Sequence, residues 1–263
     1  MIFICHYDPA RPDCKKQAEL CRTTFHDVKQ SGSFVMLPRG YSSSEYNKYN
    51  LDKNYPIYNR SIALIEYIEQ NKIYDQEICV LDPDMFFQKS FQFPKITIND
   101  FYGTKWCTSN QEDLDSIISA LDKNKYSNNS SYFGFAAPYF SLGSNICEMS
   151  KLLLRINPQT REAMNPKNRW ISDMYSQSYV VGVLNLNSLY TDVSTYCYWE
   201  NNTLEYMKNL CIFHYPWEAR GSGGSIKKYY LHNKSFVQEQ IKTFGEPADA
   251  YSSVLFDFYK RYF

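Results

Sequence analysis

The chain has 263 residues, of which 44% are hydrophobic and 21% charged, a composition typical of a folded globular protein and not of a disordered one. Its 28 basic and 28 acidic side chains balance, so it lacks the positive field that attracts nucleic acid. We therefore expect a single domain over residues 1–263 and no nucleic-acid partner.

Cysteine usage and hydropathy bear on the compartment. The eight cysteines show neither C-x-x-C pairs nor zinc spacing, and several fall within apolar runs, which favours buried free thiols over disulfides. The first residues lack a basic leader, and no stretch approaches the ~20 apolar residues of a membrane span. These features predict a soluble, cytoplasmic chain without a membrane span.

The N-terminal segment has the spacing of a β-α-β unit. An apolar run at residues 2–5 predicts a buried parallel strand, residues 12–27 a helix, and residues 33–37 a second strand. The first strand emerges at His6 and Tyr7, and polar residues that follow a buried strand face ligands in α/β folds. Both residues are therefore candidates for ligand binding.

The next segment leads to an acidic turn. Residues 40–55 are polar and predict a long loop that folds over a ligand, and an apolar band predicts a helix over residues 58–70. Asn59 and Arg60 lie at the predicted exposed start of this helix, where they either contact a ligand or simply begin the helix. Residues 77–81 predict a buried strand that ends at Asp82-Pro83-Asp84.

The C-terminal half continues the alternation of strands and helices. We predict strands near residues 100–108, 131–142, 183–186 and 210–213, helices near 111–122, 145–156 and 170–181, loops at 127–131 and 221–224, and a closing helix in the last thirty residues. The fold class that results is α/β, with a mixed, mostly parallel central sheet flanked by helices.

The acidic turn carries the sharpest chemical signal. Asp82 and Asp84 follow a buried strand, so their oxygens would point into a crevice at the carboxyl edge of the sheet. Mg²⁺ or Mn²⁺ bound by one or two carboxylates keeps coordination positions open for substrate phosphates. A plain tight turn is the alternative, since Asp and Pro favour turns. The apolar run before the turn and Met-Phe-Phe after it favour the metal site.

Later residues could complete such a site. His214 ends an apolar run and is a candidate third metal ligand, although a hydrogen-bonded, half-buried histidine is the alternative. Arg220, Lys227 and Lys228 would supply charge to a diphosphate, or form a solvated basic surface. Asp173 lies among large apolar residues, where it could act in catalysis or acceptor binding, or merely place charge at a helix start.

Motifs of several other enzyme classes are absent from the sequence. It contains no G-x-x-x-x-G-K-[ST], no G-x-G-x-x-G after a strand, no H-E-x-x-H and no G-x-S-x-G. Kinase, dehydrogenase and serine-hydrolase functions are therefore disfavoured.

The order of four segments resembles a known group, the plant and algal hydroxyproline O-arabinosyltransferases and peptidyl-serine α-galactosyltransferases. The segments are YNRS at 58–61, LDPDM at 81–85, WISDMY at 170–175 and IFHY at 212–215. The resemblance implies a GT-A fold, a UDP-sugar donor, Mn²⁺ and retention of anomeric configuration. The matching positions are Asp82 and Asp84 in the metal and nucleotide motif, His214 as late metal ligand, Asp173 as the acidic position, and Asn59 and Arg60 at the helix start.

The hypothesis from the sequence is a metal-dependent hexosyl- or pentosyltransferase that moves a sugar from a UDP-sugar to a hydroxyl of a protein or glycan. In this hypothesis the catalytic residue is Asp173, and the metal ligands are Asp82, Asp84 and His214. The residues that bind the nucleotide are His6, Tyr7, Asn59, Arg60, Asp82 and Lys227. A nucleotidyltransferase or nucleotide-sugar hydrolase could use a similar sheet and acidic turn. The Tyr-rich composition also fits a non-catalytic carbohydrate-binding module.

Overall fold

A computed structural model describes residues 1–93, 95–105, 111–121, 135–195 and 203–263. The described strands are β1 (Ile2–Tyr7), β2 (Ser33–Pro38), β3 (Glu77–Leu81), β4 (Met85–Phe87), β5 (Asp100–Lys105), β6 (Phe135–Leu142), β7 (Asn187–Tyr190), β8 (Ile212–His214), β9 (Ala219–Gly221) and β10 (Gly224–Ile226). The described helices are α1 (Pro12–Asp27), α2 (Ser43–Lys48), α3 (Tyr58–Asn71), α4 (Gln111–Ala120), α5 (Gly143–Ala163), α6 (Ser172–Val183), α7 (Leu204–Asn209), α8 (Lys234–Thr243) and α9 (Ala250–Tyr262).

Six strands form the central sheet, in the order β2-β1-β3-β6-β5-β7. The pairings β1–β2, β1–β3 and β5–β7 are parallel, whereas β6 lies antiparallel to both β3 and β5. The predicted mixed, mostly parallel sheet is confirmed. Because β1 and β3 run side by side in parallel with Cys5 opposite Leu81, His6 in the last residues of β1 and Asp82 after β3 lie at the same edge of the sheet.

Helices flank the sheet because each one carries an apolar stripe that needs a partner. Helix α1 begins with a proline, whose fixed φ suits the first turn, and packs against β1 and β4. Helix α3 packs against α5, which also packs against α6. The apolar strands β1 and β3 lie at the centre of the largest cluster of buried side chains, as expected for strands with neighbours on both sides.

A separate pair of short strands continues the acidic turn. Strand β4 pairs antiparallel with β8, so that Met85 lies opposite His214. The Phe86 ring stacks on Phe258 of α9 with centroids 4.0 Å apart, which packs the C-terminal helix beneath this pair. The pairing therefore places His214, which is distant in sequence, beside the acidic turn.

Three predicted elements differ from the structure. The strand predicted at residues 183–186 is wrong, because α6 continues to Val183 and Asn185 adopts a left-handed φ of 51° before β7 begins. An apolar run alone does not distinguish a buried helix from a strand. The loop predicted at 221–224 is instead the tip of the β9–β10 hairpin, and the predicted single closing helix is two helices, α8 and α9.

Other predictions concern the loops and cysteines. The predicted loop over residues 40–55 contains the short helix α2, and the one predicted at 127–131 lies outside the described residues. The six cysteines that the structure describes are free thiols, whereas Cys107 and Cys197 lie outside it. None of the described helices combines the length and the apolar character needed to cross a membrane.

Candidate active site

The acidic turn is fixed by the strands on either side of it. Strand β3 ends at the fully buried Leu81, and Asp82 then leaves the edge of the sheet. The backbone carbonyl of Asp84 accepts a hydrogen bond from the amide of Tyr215 at 2.9 Å, which extends the β4–β8 pairing to the turn. Asp84 and His214 are therefore held by hydrogen-bonded backbone, and Asp82 directly follows a buried strand.

Three side chains converge at this edge. The Nε2 atom of His214 lies 3.2 Å from Oδ1 of Asp84 and 3.9 Å from Oδ2 of Asp82. One ligand atom from each residue lies within 4.8 Å of the others. Two neighbouring ligands of an octahedral Mg²⁺-sized ion are about 3 Å apart when each is ~2.1 Å from it. The donor set and its spacing therefore fit a divalent cation.

The remaining carboxylate oxygens contact cations of the protein itself. Oδ1 of Asp82 lies 2.5 Å from the guanidinium of Arg60, and Oδ2 of Asp84 accepts a hydrogen bond from the Lys228 ammonium. Burial by itself would raise the pKa of Asp84, but the positive charge of Lys228 and the neighbouring His214 outweigh it and hold that pKa well below its usual range. Asp84 is thus a carboxylate at physiological pH, as a metal ligand must be.

Arg60 joins two acidic residues that are distant in the sequence. One guanidinium nitrogen contacts Asp82, and the other lies 3.1 Å from Oδ2 of Asp173. The Tyr139 ring lies 5.8 Å below the guanidinium carbon. The sequence prediction that Asn59 and Arg60 are exposed is wrong, since only 1% and 6% of their surfaces are accessible. The reason is that Arg60 reaches inward to two carboxylates.

Asp173 lies in the first turn of α6, at the predicted helix start. Its Oδ1 accepts a hydrogen bond from the Tyr55 hydroxyl at 2.9 Å, and its Oδ2 pairs with Arg60. Burial raises the pKa of Asp173, while Arg60 and the Tyr55 hydrogen bond act in the opposite direction. Both oxygens of this buried carboxylate are therefore engaged by the protein.

Three further residues were predicted to bind the nucleotide, and two of them lie at the edge of the sheet that carries the acidic turn. His6 and Tyr7 are the last two residues of β1, and the Nε2 atom of His6 donates to the Arg39 carbonyl at 3.1 Å. The Asn59 amide oxygen instead accepts a hydrogen bond from the Tyr46 hydroxyl of α2 at 2.9 Å. Donor binding by these three residues stays a prediction.

Of the two lysines predicted beside the diphosphate, the structure brings one to the carboxylates. Lys228 contacts Asp84, whereas the Lys227 side chain is 52% exposed and lies 3.8 Å from Glu218. Arg220 is likewise exposed and lies near Glu218. Of the three basic residues predicted beside the diphosphate, Lys228 is therefore the one that contacts the acidic turn, and a role of Lys227 stays a prediction.

Two residues of the site carry no local signal in the sequence. Tyr55 was assigned to a loop, and Tyr139 lies within an apolar strand segment. Tyr139 reaches Arg60 only because β6 pairs with β3, which places it opposite Val80. Only the long-range pairing of strands and helices reveals both side chains.

The buried imidazole of His6 predicts a dependence of stability on pH. Burial lowers the pKa of His6 from 6.5 to about 4, so the folded state resists protonation that the unfolded state accepts. The stabilisation is complete above pH 6.5 and is lost as the pH falls toward 4. Between pH 7 and pH 5 the free energy of unfolding of the wild type should fall. We expect that fall to be about 1–2 kcal/mol smaller in His6→Gln, as measured by urea denaturation.

The exposed His26 supplies the matched control for this measurement. Replacing it with glutamine removes an imidazole that is exposed and not buried, so comparing the two variants isolates the effect of burial at His6. An equal slope for His6→Gln and the wild type would contradict the role assigned to His6.

Solved structures of other proteins resemble this fold. No protein-family model and no curated protein matches the sequence. A solved structure of an active-site mutant of LgtC matches with a TM-score of 0.53 and 12% identity, covering 82% of this chain and 88% of that chain. A structure of the galactosyltransferase LgtC with donor and acceptor sugar analogs has 14% identity and a TM-score of 0.46, with 85% and 88% covered.

The chain has a GT-A type α/β fold, as the first likeness and the sheet order show. The fold predicted from the resemblance is therefore confirmed. At 12% identity the likeness concerns the fold alone, so membership of the arabinosyltransferase and α-galactosyltransferase group stays a prediction.

Proposed function

We propose that residues 1–263 act as one metal-dependent glycosyltransferase domain that moves a sugar from a UDP-sugar to a hydroxyl of a protein or glycan. The observation that carries this proposal is the convergence of Asp82, Asp84 and His214 at the carboxyl edge of the sheet. The GT-A fold, shared with LgtC, supports it, because ligands of open α/β sheets bind at this edge.

The three converging side chains would hold Mn²⁺ or Mg²⁺. Two carboxylate oxygens suit either ion, and the imidazole nitrogen favours Mn²⁺, which accepts nitrogen ligands more readily than Mg²⁺ does. When bound, such a cation supplies positive charge to the leaving diphosphate. The β4–β8 pairing holds the backbone of Asp84 and His214, and Asp82 directly follows the buried strand β3, so the three side chains need little rearrangement to do so.

Residues at the ends of β1 and β10 would hold the rest of the nucleotide. His6 and Tyr7 end β1 beside Asp82, where a base and ribose would lie, and the Lys228 ammonium follows β10. In this proposal Lys228 leaves Asp84 and contacts the diphosphate once a cation has taken its place. Lys227 and Asn59 are further candidates for donor contacts.

Transfer with retention needs few proton movements. The bond between the anomeric carbon and the diphosphate oxygen breaks, the acceptor oxygen bonds to that carbon on the same face, and the acceptor proton passes to the departing diphosphate. A negative charge near the anomeric carbon stabilises the positive charge that develops there in the transition state. Asp173 is our candidate for this role, or for orienting the acceptor, although it must share its oxygens with Arg60 and Tyr55.

The decisive experiment incubates the protein with a panel of UDP-sugars, Mn²⁺ and hydroxyl acceptors, and identifies products by NMR and mass spectrometry. A glycosylated acceptor together with UDP supports the proposal. The coupling constant of the anomeric proton in the glycosylated product reports the stereochemistry. Free sugar with UDP and no glycosylated acceptor indicates a hydrolase. If pyrophosphate is added, formation of UTP and sugar 1-phosphate from the UDP-sugar indicates a nucleotidyltransferase. Glycan binding without any need for UDP or metal indicates a carbohydrate-binding module.

Lys228 gives a binding prediction within this proposal. We expect Lys228→Met to raise the affinity for Mn²⁺ alone by about ten-fold, because the ammonium no longer competes for Asp84. The same variant should bind UDP about ten-fold more weakly in the presence of Mn²⁺, because a diphosphate contact is lost. Titration calorimetry measures both affinities.

A parallel fall of both affinities in Lys228→Met would contradict an exchange of partners by this lysine. Lys227→Met is the natural companion, because its side chain lies next in sequence yet points to Glu218. Weaker UDP binding in that variant would support the sequence prediction for Lys227.

A further inference from the structure

The Tyr55 hydroxyl lies at a junction of polar groups beneath α6. It donates to Oδ1 of Asp173 at 2.9 Å, and it lies 3.3 Å from both the amide nitrogen of Asp173 and the hydroxyl of Ser172. A tyrosine hydroxyl has one hydrogen to donate, and the Asp173 oxygen at 2.9 Å is a closer acceptor for it than the Trp170 carbonyl oxygen at 3.3 Å. Only 7% of the tyrosine surface is exposed.

The same hydroxyl takes the place of a helix cap. The N-cap position of α6 is Ile171, which has no side-chain capping hydrogen bond. The amides of the first helical turn have no partner within the helix, so each needs one from elsewhere. Tyr55 accepts from the amide of Asp173, and it thereby fixes the backbone as well as the carboxylate of that residue.

The ring of Tyr55 is clamped from a second direction. The guanidinium of Arg161, on α5, lies 3.9 Å from the ring centroid and also pairs with Asp52 at 3.1 Å. The Tyr58 ring packs edge-on against it with centroids 5.2 Å apart. The hydroxyl is consequently held in place by contacts that do not involve Asp173.

Arg60 divides its contacts between the carboxylates of Asp82 and Asp173. Around the candidate metal position three carboxylates, those of Asp82, Asp84 and Asp173, face two basic side chains, Arg60 and Lys228. One negative charge is therefore left over to attract a cation. If Asp173 no longer held Arg60, the guanidinium would turn fully to Asp82 and cancel that charge.

We propose that Tyr55 is a positioning residue, whose hydroxyl holds Asp173 against Arg60. Arg60 then stays shared between two carboxylates, and Oδ2 of Asp82 is left to bind a divalent cation. This inference rests on the proposed function for the identity of the site. It extends the site to the segment before α3, which the sequence assigned to a loop. Tyr55 acts through Asp173 and Arg60 and needs no contact with substrate.

The test compares Tyr55→Phe with Tyr58→Phe by Mn²⁺ titration calorimetry in the absence of nucleotide. Both variants keep an aromatic ring and lose one hydroxyl, and the Tyr58 hydroxyl is buried without a hydrogen-bond partner among the described residues. We expect Tyr55→Phe to weaken Mn²⁺ binding by about three- to ten-fold, and Tyr58→Phe to leave it unchanged within about two-fold. Equal effects of the two variants would overturn the proposal.

A double-mutant cycle with Asp173→Asn tests the route of the effect. If Tyr55 acts through Asp173, then Tyr55→Phe has little further effect on Mn²⁺ affinity once Asp173 is replaced. Additive losses in the double variant would show that the hydroxyl acts independently of Asp173, which contradicts the proposal. Thermal unfolding of each variant shows whether it is folded.

Arg161→Met provides a second variant if Tyr55→Phe fails to fold. It loosens the clamp on the ring and leaves the hydroxyl in place, so we expect a smaller loss of Mn²⁺ affinity, again absent in the Asp173→Asn background. An unchanged affinity would argue against the positioning role. Mn²⁺ binding with a non-additive cycle but no sugar transfer would refute only the proposed function, whereas sugar transfer with an additive cycle would refute only this inference.

Discussion

Replacing Asp84 with asparagine is expected to lower Mn²⁺-dependent sugar transfer by about a thousand-fold or more, because the site loses one of its two anionic ligands. Asparagine keeps the shape of the side chain and the backbone pairing to Tyr215, so the β4–β8 strands should remain. The measurement is the initial rate of UDP release with a saturating acceptor at several Mn²⁺ concentrations.

Two further readouts separate metal binding from folding in Asp84→Asn. Mn²⁺ should raise the thermal midpoint of the wild type, since a ligand that binds only the folded state stabilises it, and should leave that of the variant unchanged. The loss of charge also leaves Lys228 without its buried partner, so we expect about 1–3 kcal/mol lower unfolding free energy without metal.

Asp100→Asn is the matched control for Asp84→Asn. Asp100 is similarly buried, but its carboxylate accepts hydrogen bonds from Thr97 and lies at the start of β5. We expect normal Mn²⁺-dependent transfer in this variant. Full transfer by Asp84→Asn, or an equal loss in both variants, would exclude Asp84 as a metal ligand.

The metal centre could be predicted because each of its parts has a local signal. Asp82 and Asp84 follow the apolar run of β3, and His214 ends the apolar run of β8. A polar residue directly after a buried strand must leave the sheet at its edge, whatever the rest of the fold does. The sequence does not say that β8 pairs with β4, which is what brings His214 within 3.2 Å of Asp84.

The charge network around the metal centre could not be predicted. The Arg60 contact with Asp173 spans 113 residues, and the Tyr55 contact with the same carboxylate spans 118. Helical periodicity correctly predicts α3 but not that Arg60 on it is buried, because burial of a charge depends on partners from other elements. The choice of Lys228 over Lys227 likewise follows from the backbone after β10, which composition does not reveal.

Arg60→Met is expected to lower the free energy of unfolding at pH 7 by about 3–5 kcal/mol, the largest loss we expect at this site. The guanidinium is buried and is shared by Asp82 and Asp173, so its removal leaves two carboxylates without their cation. Arg60→Lys should lose about half as much, because a single ammonium cannot contact both carboxylates as the planar guanidinium does. Chemical denaturation measures each difference.

The pH dependence of Arg60→Met identifies the cause of its instability. Burial already raises the pKa of Asp173, and Arg60 opposes that rise, so the variant should have a still higher pKa. A carboxyl whose folded pKa exceeds its unfolded value stabilises the fold below the unfolded pKa, near 4, and that contribution is lost as the pH rises. The loss of unfolding free energy in Arg60→Met, relative to the wild type, should therefore be smaller at pH 5 than at pH 7. A loss that is constant or larger at pH 5 would point to lost packing.

The exposed pair of Arg261 and Asp27 supplies the control for Arg60→Met. We expect Arg261→Met to lower the free energy of unfolding by less than about 1 kcal/mol at either pH.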